Sequence, residues 1–386
     1  MPFQVSDVKS IEAFIKAHQN LNIPDVALQL SKRKDLPKEY ILHQINGKKK
    51  QKFKFPFLKD FPGFVFPSPR AFSQASSENS ALFKSKLFSG QRLLDLTGGM
   101  GIDSYFFAKN FSEVVYIEKD EMLFHQTKKN FNTLNAQKIR CFNKDALYFI
   151  DNEAKAYDAI YIDPDRRQLK SKGVKIEDCS PNVIGILHKL WKISPTILIK
   201  FSPLLDISEG IKKLKEVENV YVVAIKNEVK EVLFQLKRGH AYEPLIHAID
   251  IDQEVNYSFS LLKEKSLEIE YSDPLKYLYE ANASLLKAGA FKSLPHTFNL
   301  SKIASQTHLY TSDVLIKDFP GRRLSIKVVS KPKKQTVTAA SIVCKNYPLS
   351  ANQLRAKFKI REDSNMFLYA CKLKDSSLCW ITATLL

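Results

Sequence analysis

The amino-acid sequence predicts an α/β protein with a mainly parallel sheet, and three observations favour this class. Apolar, strand-like runs alternate with helical patterns between about residues 90 and 225. The first run leads into a glycine-rich turn at Thr97 to Gly101. Because the carboxyl ends of parallel strands share one edge of a sheet, residues that follow the strands should meet at a ligand-binding rim. Four acids stand at the carboxyl ends of the predicted strands and should therefore lie at this rim: Asp95, Glu118, Asp145 and Asp163.

The glycine-rich turn lies between the first strand and a helical pattern that includes Phe106 and Phe107. Glycine lets the backbone approach a ligand where a Cβ atom would block it. The following helix offers unpaired N–H groups and the positive end of its dipole. A nucleotide-like ligand fits these properties, although the turn alone is also compatible with no ligand. A dinucleotide site would need a third glycine where Ser104 stands.

The acids at the strand ends add specificity to this interpretation. A carboxylate at Glu118 can accept both hydrogen bonds of a ribose diol. The fourth strand runs into an unusual charged loop, Asp163 to Arg167. Any one of the acids could instead cap a helix, but four in register favour a shared site.

Composition limits the classes of protein. The 386 residues are enough for two or three domains, and 44% hydrophobic with 26% charged residues indicates a globular chain with a core. No apolar stretch reaches the ~18 residues of a membrane span, and the N-terminus lacks a signal-peptide pattern. The five cysteines form no CxxC pair, so we expect no metal site and reduced thiols in the cytoplasm.

Net charge points to an anionic partner. Lysine and arginine total 59 against 41 aspartate and glutamate residues, which gives a net charge of +18. Such a field attracts polyanions, and RNA is the first candidate. Solvated lysines without a binding role are the alternative.

The N-terminal region reads as helical. Apolar residues from Val8 to Ile15 recur at helical spacing, and further helices are expected over residues 23–30 and 38–45. A strip of lysines and aromatics follows at Lys48 to Lys54, either a surface for phosphates and bases or an exposed linker. Ser76 or Ser77 is expected to cap the helix that precedes the first strand.

The C-terminal part predicts smaller α+β modules. Alternating strands are expected over residues 245–251 and 257–262, in a bridge that leads to these modules. Tyr277 to Ala290 reads as a helix that ends at Gly289. A strand at residues 324–329, a lysine-rich turn at 331–334, a helix at 350–358 and two final strands complete the chain.

Several motifs together resemble one bacterial family. They are Gln74-Ala-Ser-Ser, Asp95-Leu-Thr-Gly-Gly, Asp163-Pro-Asp-Arg-Arg, Leu309-Tyr-Thr-Ser-Asp and Phe319-Pro-Gly-Arg. The set is similar to class I S-adenosylmethionine-dependent methyltransferases that carry ferredoxin-like and THUMP-like domains at the C-terminus. The resemblance implies a Rossmann-like class I sheet, parallel with a terminal antiparallel hairpin, an N-terminal helical region and small α+β C-terminal domains. The expected divisions are residues 1–72 (helical), 73–250 (methyltransferase), 251–317 (bridge and ferredoxin-like) and 318–386 (THUMP-like).

The resemblance also implies roles for the acids and glycines. The glycine-rich turn would wrap the methionine part of S-adenosylmethionine, Glu118 would hold the ribose, and Asp145 would contact the adenine amino group. Thr97 stands where the family often has its first glycine. The expected cofactor-binding residues are Asp95, Thr97, Gly99, Gly101, Glu118 and Asp145.

The charged loop would face the methyl acceptor. Enzymes that methylate amino groups of nucleic acids usually show Asp/Asn-Pro-Pro-aromatic here, whereas Asp165 replaces the second proline and Arg166 the aromatic residue. We assign Asp163 as the acceptor-orienting group and Asp165 as a candidate base. Pro164, Arg166 and Arg167 are candidate acceptor-binding residues. An internal Asp–Arg salt bridge that shapes the loop is the alternative.

The resulting hypothesis is a cytoplasmic S-adenosylmethionine-dependent methyltransferase that acts on RNA, either rRNA or tRNA. A methyltransferase of a small molecule or protein stays open, as does an RNA-binding module without catalytic activity. Neither the methylated atom nor the oligomeric state follows from the sequence.

Overall fold

The computed structural model describes residues 5–166, 175–333 and 337–386. The chain divides into two compact units. Unit 1 comprises residues 1–201 and 235–239, and unit 2 comprises residues 202–234 and 240–386. Within the described ranges, no helix has the length and apolar character that a membrane crossing requires.

Unit 1 begins with helices and continues as alternating strands and helices. Its helices are α1 (Val5–His18), α2 (Ile23–Ser31), α3 (Lys38–Lys54), α4 (Pro69–Gln74), α5 (Glu78–Ser85), α6 (Ile102–Phe107), α7 (Glu121–Thr133), α8 (Ala146–Asn152) and α9 (Val183–Ile193). Its strands are β1 (Gly90–Asp95), β2 (Phe111–Glu118), β3 (Ile139–Asn143), β4 (Ala159–Ile162), β5 (Asp165–Arg166), β6 (Cys179–Ser180) and β7 (Thr196–Phe201).

The main sheet of unit 1 is parallel. Strand β1 pairs with β2 and β4, β2 pairs with β3, and β4 pairs with β7, so the order is β3-β2-β1-β4-β7. All four residues of β4 are buried, as expected for a strand covered by helices on both faces. Strands β5 and β6 form a separate antiparallel pair. The predicted parallel sheet with acids after its strands is therefore confirmed.

Helix α3 is longer than the sequence predicted. It continues to Lys54, so the expected end near residue 45 is wrong, and the lysine-rich strip is helical. Gly47 explains the error, because a glycine usually weakens the interior of a helix. Here a Cβ atom at Gly47 would lie 2.2 Å from the Phe66 ring, so the glycine permits close packing inside a continuous helix.

The extended segment at Phe64 to Phe66 is held by two side-chain amides. Gln44 of α3 donates to the Phe66 carbonyl at 2.8 Å and accepts from the Phe66 N–H at 2.9 Å. Asn130 of α7 makes the same two-way contact with Val65, with both distances at 2.8 Å. Both amide side chains are buried, so the N-terminal helices and α7 are joined through this segment.

Unit 2 contains the remaining elements. Its helices are α10 (Ile207–Leu214), α11 (Leu261–Ser266), α12 (Ala283–Ala288), α13 (Ser293–Phe298) and α14 (Ala351–Phe358). Its strands are β8 (Val217–Ile225), β9 (Glu228–Lys237, whose last three residues belong to unit 1), β10 (Leu245–Asp250), β11 (Val255–Ser260), β12 (Tyr277–Ala281), β13 (Ser301–Lys302), β14 (Leu309–Ser312), β15 (Gly321–Ser330), β16 (Ser341–Lys345), β17 (Met366–Lys372) and β18 (Leu378–Leu385).

Strands β8 and β9 form the predicted terminal hairpin. They are neighbours joined by Lys226 and Asn227, whose φ angles of 54° and 61° suit the tight turn of an antiparallel pair. Strand β10 pairs in parallel with β8, and β11 pairs antiparallel with β10. The two strands expected in the bridge are thus present, but they extend the sheet beside β8.

A second, seven-stranded sheet has the order β13-β14-β12-β15-β18-β17-β16. The expected helix from Tyr277 to Ala290 is partly wrong, because residues 277–281 form β12 and only residues 283–288 form α12. Tyrosine favours strands, and Asn282 begins a new helix by accepting from the Ser284 N–H. Gly289 ends that helix in a left-handed conformation, as predicted.

Candidate functional site

The Gly99 peptide is held from both sides. Its N–H donates to Glu118 Oε2 at 2.9 Å, and its carbonyl accepts from Tyr116 Oη at 2.6 Å and from Thr127 Oγ1 at 3.0 Å. Its φ angle is +54°, and among the described residues, apart from its chain neighbours, a Cβ atom there would find one heavy atom within 4 Å, at 3.8 Å. The turn is therefore a fixed backbone surface with open space beside Gly99, where a ligand can approach.

The other two glycines of the turn serve packing. A Cβ atom at Gly98 would lie 2.1 Å from the Tyr116 ring, and one at Gly101 would lie 2.5 Å from Phe131. Gly101 also has a φ angle of +76° and precedes the first residue of α6. Of the expected cofactor-binding glycines, Gly99 thus has the open face, while Gly101 sets the start of the helix.

Asp95 ends β1 and is 1% exposed. Its Oδ1 accepts from the Thr97 N–H at 3.1 Å, and its Oδ2 accepts from Ser104 Oγ at 2.5 Å. Burial raises the pKa of Asp95 to about 7, although both hydrogen bonds oppose the change. A cationic ligand close to this carboxyl would favour its ionised form. Ser104 stands where a dinucleotide site would need its third glycine, and here it is a direct hydrogen-bond partner of Asp95.

Glu118 lies at the end of β2 and organises the neighbouring backbone. Its Oε2 accepts from Gly99, and its Oε1 accepts from the Asp120 N–H at 2.7 Å. Burial raises the pKa of Glu118 above its usual range. A carboxylate has about four lone-pair positions, so each oxygen can accept a further hydrogen bond from a ligand.

Thr97 and Asp145 also have partners within the chain. Thr97 Oγ1 accepts from the Asp163 N–H at 2.6 Å, which ties the glycine-rich turn to the charged loop. Asp145 caps α8, because its Oδ1 accepts from the Leu147 N–H at 2.9 Å. The threonine in place of glycine therefore has a definite structural role.

The charged loop begins at Asp163. Its carboxylate forms an ion pair with Lys200 of β7. Burial raises the pKa of Asp163, and the Lys200 ammonium opposes this shift. The loop thus starts with a carboxylate whose backbone and side chain are both fixed, at the carboxyl end of β4.

Asp165 is held by helix α4. Arg70 Nη2 donates to Asp165 Oδ2 at 2.6 Å, and Gln74 Nε2 donates to Oδ1 at 2.8 Å. An aspartate–arginine salt bridge does shape the loop, but its arginine comes from α4 and was not singled out in the sequence. The side chain of Arg166 and all of Arg167 lie outside the described residues.

A buried network beneath this loop was not predicted from the sequence. Lys84 of α5 is 0% exposed, and its Nζ lies 3.0 Å from Asp103 Oδ1 and 2.6 Å from Ser76 Oγ. Asp103 Oδ2 accepts from Ser76 Oγ at 2.7 Å and from Tyr161 Oη at 2.9 Å. Burial acts to raise the pKa of Asp103, but the Lys84 and Lys200 charges outweigh it and lower the pKa.

The only advance signal for this network was the Gln74-Ala-Ser-Ser motif. Ser77 takes the expected capping role by accepting from the Ser80 N–H, which leaves Ser76 to contact Asp103. Asp103 and Asp163 interact with Lys84 and Lys200, and Asp95 interacts with both of these carboxylates. With Asp103, Asp163 and the two lysines ionised the charges balance, so the cluster becomes net negative only when Asp95 is ionised as well, a form that a cationic ligand would favour.

Comparison with known proteins shows the same architecture. A family model for a ferredoxin-like domain matches residues 277–320, and one for a THUMP domain-like module matches residues 323–384. A crystal structure of a candidate methyltransferase from Porphyromonas gingivalis W83 is 28% identical, with a TM-score of 0.87 and 100% of both chains covered. The chain therefore shares the fold of this candidate methyltransferase along its whole length and carries ferredoxin-like and THUMP-like modules at its C-terminus.

Other similarities to solved structures are partial. A candidate RNA methyltransferase from Pyrococcus horikoshii is 15% identical, with a TM-score of 0.34, and covers 49% of this chain and 98% of its own. A candidate methyltransferase from Streptococcus mutans in complex with SAH is 14% identical, with a TM-score of 0.30, and covers 45% and 99%. These two matches are too distant to bear on function. No curated protein matches the sequence.

Proposed function

We propose that this chain is an S-adenosylmethionine-dependent methyltransferase that acts on RNA in the cytoplasm. The observation that carries the proposal is the open face of Gly99 beside acids that follow four parallel strands. Residues 73–250 would bind the donor and transfer the methyl group, after the helical region at 1–72. The bridge and ferredoxin-like region at 251–317 and the THUMP-like region at 318–386 would serve RNA binding.

The residues present fit the donor. S-adenosylmethionine would supply an electrophilic methyl group on a positively charged sulfonium. Glu118 would accept the ribose hydroxyls, the Gly99 backbone and Asp95 would contact the methionine part, and Asp145 would contact the adenine amino group. The buried Asp95, whose pKa is raised to about 7, would gain its negative charge beside a cationic ligand, which supports a sulfonium donor. Thr97 and Gly101 would act by shaping the turn.

The charged loop would present the methyl acceptor. Methyl transfer is an in-line displacement, so its main requirement is that nucleophile and methyl group are close and aligned. Asp163 would orient the acceptor, because Thr97 and Lys200 fix its backbone and side chain. Pro164 restricts the loop further, since its ring fixes φ. Asp165 remains the candidate base, with Arg166 and Arg167 as candidate acceptor-binding residues.

RNA is the proposed acceptor because of two independent features. The net charge of +18 attracts a polyanion, and residues 323–384 match the THUMP domain-like model. A small molecule or protein as acceptor, and RNA binding without catalysis, are the competing functions.

A transfer assay separates these functions. Purified protein with a tritium-labelled donor should label total RNA, whereas total protein or metabolite extract should stay unlabelled. Asp163→Asn should lower turnover by a factor of about 10²–10⁴, the contribution of a positioned polar group, while affinity for S-adenosylhomocysteine, which lacks the sulfonium charge, stays nearly intact. Asp60→Asn, at an exposed aspartate of unit 1, is the matched control and should keep full activity.

Two results would refute parts of this proposal. Wild-type turnover in a folded Asp163→Asn variant would remove Asp163 from the mechanism. Label that enters only protein or metabolites would exclude RNA as the acceptor.

A further inference from the structure

We infer that the last turns of α3 guide single-stranded RNA toward the charged loop. The inference rests on the proposed RNA methyltransferase function and assigns a binding surface to it. The surface consists of the exposed side chains around the last two turns of the helix, Lys48, Lys50, Lys52 and Phe53, here called the α3 strip.

The chemistry of the α3 strip matches an unpaired nucleotide chain. Phe53 is 80% exposed, and the Lys52 ammonium lies 4.9 Å from the centre of its ring. Lys48, Lys50 and Lys52 are exposed. No acidic residue occurs between Glu39 and Asp60, so nothing in this segment offsets their charge. Surfaces that bind single strands combine such cations with aromatic rings on which bases stack.

The strip projects from a fixed base. The turns of α3 that precede the strip are buried through Ile41, Gln44, Ile45 and Gly47. The Gln44 amide forms hydrogen bonds with the backbone of Phe66, and Gly47 packs against the Phe66 ring. A ligand on the strip therefore meets side chains on a rigid helix, and ordering the backbone costs no further entropy.

A continuous set of contacts links the strip to the charged loop. Next to Phe53, the Lys54 ammonium donates to the carbonyls of Phe72 and Ser73 at 2.7 and 2.8 Å. These residues belong to α4, whose Arg70 and Gln74 hold Asp165. RNA on the strip would thus be bound beside the helix that positions the loop.

Single-stranded RNA fits better than duplex RNA. In a duplex the bases are stacked on one another and the ring of Phe53 would have no free base face to contact. An unpaired strand offers both phosphates for the lysines and a base for the ring.

The test measures RNA affinity directly in the full-length protein. The probe is a fluorescently labelled oligouridine of about 20 nucleotides, with binding followed by anisotropy at several salt concentrations. Phe53→Ala should weaken binding by about 5-fold to 100-fold, the range for loss of one stacked base. Replacing Lys48, Lys50 and Lys52 by glutamine should lower the log–log salt slope by about two units.

Matched controls come from parts of the chain with no proposed role in RNA binding. Tyr242 is 83% exposed, so Tyr242→Ala removes an equally accessible aromatic ring. Glutamine at Lys9, Lys16 and Lys32 removes the same charge from other exposed positions. Both controls should bind the probe nearly as wild type does.

Three results would overturn the inference: no binding of oligouridine, equal losses in the strip and control variants, or an equal effect of Phe53→Ala on duplex RNA. Affinity for S-adenosylhomocysteine, measured by calorimetry, should be unchanged in every variant. If strip-dependent RNA binding is found but no RNA is methylated, the inference holds and the proposed enzymatic function fails.

Discussion

Replacing Lys84 by methionine tests the buried network beneath the charged loop. The substitution keeps much of the side-chain volume but removes the cation that lies 3.0 Å from Asp103. Asp103 is 11% exposed, so its carboxylate would be left largely without a counter-charge. Breaking a buried ion pair from one side costs about 3–5 kcal/mol.

The expected loss of unfolding free energy lies at the lower end of that range. Asp103 would keep its hydrogen bonds from Ser76 and Tyr161 and the field of Lys200. We therefore expect about 3 kcal/mol at about pH 8. Adding Asp103→Asn removes the unpaired charge and should restore about 2 kcal/mol.

The sign of the pH dependence follows from the pKa of Asp103. In the wild type this pKa is lowered, so the ionised carboxylate stabilises the fold above its unfolded-state pKa, and that stabilisation is lost as pH falls through the folded-state pKa. In Lys84→Met the main opposing charge is gone and burial raises the pKa. The variant's deficit should then be larger at about pH 8 than at about pH 5, where Asp103 can bind a proton.

Urea unfolding can measure this difference in unit 1. Trp191 lies in α9, and Trp380→Phe in every variant would leave it as the sole tryptophan reporter. The control is Lys189→Met, which breaks the exposed pair with Asp151 and should cost less than about 1 kcal/mol. A loss in Lys84→Met no larger than in this control, or one that is independent of pH, would refute the role assigned to Lys84.

Two predictions concern donor binding. Glu118→Ala should weaken binding of S-adenosylhomocysteine by about 1–3 kcal/mol, because ribose hydroxyls would lose their acceptor, and unchanged affinity by calorimetry in a folded variant would contradict this role. Gly99→Ala places a Cβ atom in open space at a φ angle of +54°, so it should lower donor affinity at a stability cost of about 1–2 kcal/mol. Gly98→Ala instead forces a Cβ atom to within 2.1 Å of the Tyr116 ring and should destabilise the fold more, so thermal unfolding of the two variants tests the distinction.

The sequence predicted the parallel sheet because strand periodicity and strand-end acids are local patterns. Asp95, Glu118, Asp145 and Asp163 all follow their strands as expected. The family resemblance, the C-terminal modules and the terminal hairpin are confirmed as well. The assigned roles of individual site residues remain predictions.

Features that depend on distant residues could not be predicted in the same way. Lys84 and Asp103 are 19 positions apart, and neither stands out until folding buries both. The true length of α3 depended on the Phe66 ring, which fills the space that a side chain at Gly47 would need. Arg70 and Asp165 are 95 positions apart, so their salt bridge had no local signal.

The two amides that hold residues 64–66 have a consequence for substrate register. Gln44 joins α3 to this segment, and Asn130 joins the segment to α7, whose Thr127 bonds to Gly99. The distance from the α3 strip to the donor turn is therefore fixed by the fold. If RNA follows the strip, the number of nucleotides between the base stacked on Phe53 and the methylated base should be constant. The protein would then methylate a nucleotide at a fixed distance along the strand from the base that stacks on Phe53. Each RNA that it modifies should show the same number of nucleotides between these two bases.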